Sequence, residues 1–222
     1  MDTSTQAVYA VVSGFVVAAA MGLLGACAVR HARNALGHAR PLQMLFLRLE
    51  IIFALFLALF YLHVLYATNL SAIQPLVHFC FPLLEGLALF CFFNMMVLLV
   101  GGTAAAVARM DPTKEKKASW LTSPYKKSLD AYRQLLVLFL STKPILGAVD
   151  GWAVSHLTDS TNTSKATHRT VHYILVVVLN LLTVATFAGV LRTFFLLKRH
   201  IAQSFNLTLK FAVVKSMFYI ST

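Results

Sequence analysis

The sequence predicts an all-α fold: a polytopic transmembrane helix bundle with five full spans and the start of a sixth. Three observations carry that prediction. Hydrophobic residues make up 59% of the chain, and the mean hydropathy is +0.74. Charged residues reach only 12%, against roughly a quarter in soluble domains. The apolar residues also fall in long runs, each near the roughly 20 residues that a helix needs to cross hydrocarbon. A soluble chain of 222 residues has no single core large enough to hide so much apolar surface. Strands of a membrane barrel would alternate polar and apolar residues, and runs such as 51–61 do not. The whole chain, 1–222, reads as one transmembrane domain in the lipid bilayer.

The first span covers residues 7–29 and is uncharged. No Lys or Arg precedes it, which argues against a secretory signal or an Arg-rich transit peptide, so the span is expected to be retained. The second, 44–66, carries Arg48 and Glu50 near its start. Two positions apart on a helix, they point to different sides and do not pair directly; anchoring is the expected role of Arg48. The third, 76–101, holds a single charge, Glu85. The fourth, 135–156, is the least apolar and contains Lys143 and Asp150. The fifth, 171–191, is uncharged. A sixth starts near Leu209 and stops at Thr222. That is about 21 Å of helix against a hydrocarbon core of about 30 Å, too short to cross upright.

Loop charges predict the orientation. The odd-numbered loops hold fourteen Lys and Arg residues and the even-numbered loops two, Lys165 and Arg169. Basic residues in short loops stay on the cytoplasmic side, so the N-terminus is expected outside. The longest loop, 103–130, is then a cytoplasmic basic segment within the single domain, able to lie against anionic headgroups. Sequons occur at Asn69, Asn162 and Asn206. Asn162, in an outward loop with polar flanks, is the best acceptor of the three.

Composition and motifs exclude several function classes. The net charge of +11 sits in short clusters between spans, without the interleaved aromatics of a base-stacking surface. No nucleic-acid partner is expected. Cys27, Cys80 and Cys91 all lie in apolar runs, with no CxxC spacing, and read as buried thiols. No GxSxG, HExxH or P-loop occurs, and no enzyme activity or cofactor is expected. His63, His78, His156, His168 and His172 are scattered near the outer face. His168 and His172 are four apart, a ligand spacing on a helix, but no third ligand is nearby and no metal is expected.

The chemistry that remains lies at membrane depth, where ionisable groups are costly and usually face protein or water. Glu85 is either held neutral between helices or paired with Lys143. Lys143 and Asp150 are seven apart, on one helix face and about 10 Å apart axially. Pro144 removes a backbone hydrogen bond beside them and is expected to kink the span; carbonyls freed in this way line cavities in transporters. Taken alone, Lys143 would snorkel to the interface. Asn94 and Asn180 are amides within spans three and five, able to bond across helices. The five residues Glu85, Lys143, Asp150, Asn94 and Asn180 are the candidate solute-binding set. Glu85 is expected to face span four, within reach of Lys143 or the backbone freed at Pro144; counting from the span ends places it about 12 Å from the depth of Lys143, too far for a direct salt bridge unless Pro144 bends the helix, but near that of Asp150. The expected pocket therefore joins Glu85 to Asp150, two carboxylates that raise each other's proton affinity, with Lys143 at its rim.

Several segments, in order, resemble one family. They are the run from Leu84 and Glu85 through Phe93 that closes on Gly101 and Gly102, the Lys143–Pro144 step, Val176 to Asn180, and Lys210–Phe211 followed by Val214, Lys215, Ser216 and Phe218. From about residue 41 onward the chain is similar to the organic solute transporter alpha subunit and its broader relatives, the transmembrane protein 184 group. Leu84 and Thr103 depart from that pattern, as does the absence of a cysteine cluster after Gly102, which points to the broader relatives. The resemblance implies a seven-span fold, a C-terminally truncated chain here, and a sterol- or bile-acid-like amphipathic solute. It also implies a possible partner membrane subunit. Transport, or assistance of transport, is the leading expectation. The alternative is a non-transporting scaffold or trafficking subunit of a larger membrane complex. The two differ in whether Glu85, Lys143 and Asp150 converge on a cavity.

Overall fold

A computed structural model of the protein describes residues 3–34, 40–65, 74–110, 124–157, 162–201 and 206–221. Among these residues there is no strand. The helices are α1 (Thr3–Asn34), α2 (Arg40–Leu65), α3 (Gln74–Leu99), α4 (Thr103–Met110), α5 (Pro124–Leu157), α6 (Asn162–Lys198) and α7 (Leu207–Ser221). Five of them, α1, α2, α3, α5 and α6, are long and apolar enough to cross a membrane. The protein is an all-α, multi-pass membrane bundle.

The helices overrun the apolar spans. An α-helix satisfies its own backbone hydrogen bonds and need not stop where hydrocarbon stops. This matters most for α5, which begins at Pro124 rather than near Leu135. Proline suits a first helical turn, where its missing N–H has no partner to lose. The opening turns of α5 are polar, yet they place Leu129 in the core and pack Tyr132 against it. The segment 103–130 is accordingly not one loop: α4 occupies its first eight residues and α5 its last seven, and 111–123 lie outside the described residues.

The turn between α3 and α4 rests on Gly101 and Gly102, whose φ values of +98° and +94° favour residues without a β-carbon. The N–H groups of Gly101 and Gly102 donate to the carbonyls of Leu98 and Val97, capping α3. Ala106 donates to Gly102 O, so α4 starts at once. It then buries Ala106, Val107 and Met110.

At the centre of the bundle is α3, where Ala88, Leu89, Phe92, Met95 and Met96 are fully buried. More than half of its most apolar stretch is covered by protein, whereas almost none of that of α1 is. The most extensive contact of α3 is with α5, and α1 packs principally on α2. Val11, Val12, Phe15 and Val16 of α1 stay exposed, as a lipid-facing helix requires. Two glycines let α3 and α5 approach closely. A Cβ at Gly86 would meet Leu140, and one at Gly147 would collide with the carbonyl oxygen of His78. Small residues play this part where membrane helices touch. The shorter α7 docks on α3 through Phe211, whose ring stacks on Phe194 at 4.8 Å and lies 5.6 Å from Phe92.

Candidate functional site

Four helices each contribute one polar stripe to a common space. On α3 the stripe is His78, Pro82 and Glu85, successive turns of one face. On α5 it is Lys143, Gly147 and Asp150, with the same periodicity. On α6 it is Val176, Leu179, Asn180 and Thr183, and α2 adds Phe60 and His63. Together they line a cavity of about 540 Å³ between α2, α3, α5 and α6. Its remaining walls are apolar, from Val77 and Phe81. A few polar groups in a mainly apolar concavity is the usual make-up of a small-molecule site.

Lys143 Nζ donates to Glu85 Oε2 at 2.7 Å, with the two side chains only 12% and 2% exposed. The same ammonium sits 4.9 Å from the centroid of the Phe139 ring. The expected 12 Å offset is thus overturned. That count compared backbone depths on upright helices, whereas membrane helices tilt and the long side chains of Lys and Glu reach along the helix axis. Lys143 is not a snorkelling rim residue, and the expected pocket holding both Glu85 and Asp150 is present. Both carboxylates line the one cavity, but each has its own partner.

The partners of Asp150 are imidazoles. Its Oδ1 accepts from His172 Nδ1 at 2.7 Å, and its Oδ2 lies 3.7 Å from His78 Nδ1. His63 lines the same cavity, and its Nδ1 is buried with no hydrogen-bond partner among the described residues. Reading the sequence alone missed this cluster because its members come from α2, α3, α5 and α6. The available signal was that His63, His78 and His172 all fall near the same end of their spans, the end opposite the basic loops. His172 continues the α6 stripe one turn before Val176. His168 instead meets Trp152 edge-on, with centroids 5.4 Å apart. The His168 and His172 spacing therefore serves two separate contacts. No group of three or more His, Cys, Asp or Glu side chains among the described residues is arranged to hold a metal ion.

Of the two amides, Asn180 lines the cavity and Asn94 does not. Asn94 donates from Nδ2 to Phe90 O, one turn back on its own helix, at 2.9 Å. At 3.6 residues per turn it lies half a rotation away from Glu85, on the opposite side of α3. It bonds neither to the cavity nor across helices, which corrects its place in the candidate set.

A second polar cluster joins α1, α2 and α7 near the basic end. His31 meets Glu50 Oε1 at 3.2 Å and Gln43 Oε1 at 2.5 Å, and stacks on Phe46. Lys210 Nζ also lies over the Phe46 ring, 5.0 Å from its centroid. Glu50 thus belongs to a helix-packing cluster. The three cysteines are free; Cys91 is buried but Cys27 is exposed, against the expectation that all three are buried.

The fold and its polar cavity define a multi-pass α-helical membrane protein. No family model, curated protein or solved structure matches the chain.

Proposed function

We propose that the protein is a membrane transporter, or the solute-binding subunit of one, for an amphipathic organic solute, and that the 540 Å³ cavity is its solute site. The observation that supports this reading is the convergence of Glu85, Lys143, Asp150 and Asn180 on one space at membrane depth. A scaffold needs no such space. Burying charges is costly even when they are paired, and dry apolar packing would join α3 to α5 more cheaply. The sterol-like class of solute rests on the family resemblance described above. The N-terminus is placed on the non-cytoplasmic side, as the distribution of Lys and Arg implies.

The test is flux in proteoliposomes. The protein is reconstituted and offered labelled anionic, neutral and cationic amphiphiles in turn, with Thr183→Trp as a cavity-filling variant. Transport of at least one class, lost in T183W, is expected. A folded protein that moves none of them refutes the proposal.

A further inference from the structure

We propose that the solute is an organic cation and that it exchanges with a proton held by Asp150, His78 and His172. This rests on the solute-site reading and adds to it the charge and the coupling.

The argument is an inventory of charge. The cavity is lined by two carboxylates, Glu85 and Asp150, and one fixed cation, Lys143, among the described residues. Lys143 is committed to Glu85 at 2.7 Å, and that pair is neutral as a unit. Among the described residues Asp150 meets His172 and His78, imidazoles that are cationic only when protonated. With all imidazoles neutral the lining carries one net negative charge, largely out of solvent. Such a charge draws in a counter-charge. Two species can supply it: a proton bound within the cluster, or the cationic head of a solute.

The geometry suits both. A carboxylate 2.7 Å from His172 Nδ1 and 3.7 Å from His78 Nδ1 is well placed to stabilise one imidazolium. Tyr173 also meets the His172 ring, 5.8 Å between centroids. From α2, His63 faces the same space, and His78 and Glu85 do so from α3. The α5 groups are Lys143 and Asp150, and α6 adds the neutral Asn180 and Thr183. Phe60 and Phe81 also line the cavity, and aromatic side chains can receive an organic cation. When a cation settles against Asp150, the imidazolium beside it loses its stabilisation and releases its proton. One cation enters and one proton leaves, so the charge of the lining is the same before and after. An anionic solute, such as the bile-acid-like one that the family resemblance implies, would instead add to an existing negative charge.

The experiment uses the full chain in lipid nanodiscs and tetraphenylphosphonium as the probe, a permanent cation with no proton of its own. Binding is measured between about pH 5 and 8, and proton release is followed with an indicator dye in weak buffer. The expected result is affinity that rises with pH, approaching tenfold per unit while the cluster is protonated. About one proton should appear per probe bound. Asp150→Asn should weaken binding and abolish both effects, and His172→Asn should shift the pH range of the rise. Affinity independent of pH, or binding without proton release in the unmutated protein, overturns the exchange. If taurocholate binds in a manner blocked by T183W while tetraphenylphosphonium does not bind, the solute site stands and the cation proposal falls. If neither probe binds and a neutral sterol does not bind either, the solute-site reading fails with it.

Discussion

Lys143 of α5 and Glu85 of α3 meet at 2.7 Å across 58 positions of sequence, and both are nearly out of solvent. A pair in that setting adds little net stability, because desolvating two charges offsets most of their attraction. Losing one partner is different, since the other is left as an uncompensated buried charge.

Lys143→Met should therefore destabilise the protein by about 3–5 kcal/mol, and Glu85→Gln by a comparable amount. The double variant should recover most of the loss. Thermal unfolding in detergent, read as a double-mutant cycle, checks this; additive losses would mean that the two side chains are not coupled.

The contact of Gly147 with the backbone of α3 predicts a contrast between two glycines. A Cβ at 147 collides with His78 O, which cannot swing away as a side chain end can, whereas a Cβ at Gly22 of α1 meets nothing within 4 Å. Gly147→Ala should cost about 1–3 kcal/mol through overpacking. Gly22→Ala should be neutral, or stabilising by up to about 1 kcal/mol from helix propensity. Equal thermal midpoints for the two variants would show that α3 and α5 are not in close contact there.

The two asparagines should separate in function. Asn180→Leu removes a polar group from the cavity lining and should reduce solute flux by about tenfold, as loss of one good hydrogen bond does. Asn94→Leu, on the far side of α3, should leave flux within about twofold of the parent. A reversal of that order in the proteoliposome assay counts against the cavity as the solute site.

Orientation can be read with protease on intact cells. The basic-loop bias predicts cleavage near Lys165 from outside and protection of Lys116 and Lys117. Cutting at Lys116 or Lys117 with Lys165 spared inverts the topology.

How far the fold was legible follows from which solvent each residue meets. The five spans are plain in the sequence because lipid requires long apolar runs, and those runs map onto α1, α2, α3, α5 and α6. The start of α5 is not plain, because its first turns leave the apolar layer and obey helix packing, with Leu129 and Tyr132 turned to the core. Lys143 was legible as a possible partner of Glu85, but counting residues along upright helices cannot decide whether two long side chains meet. Asn94 was misassigned for a different reason: depth alone selects it, and only helical phase excludes it. The contact of His172 with Asp150 joins two neighbouring helices, and a sequence holds no record of which way α6 is rotated against α5.

The pairing of Glu85 with Lys143 also bears on biosynthesis. Synthesis runs from the N-terminus, so α3 is made before the residue that neutralises its carboxylate exists. At 5–20 residues per second the 58-position gap corresponds to about 3–12 s. During that interval α3 carries Glu85 without the cation that it meets in the finished fold. The ion pair closes only when α5 arrives and Lys143 takes its place beside Glu85, making that contact a late step in the maturation of the newly made chain.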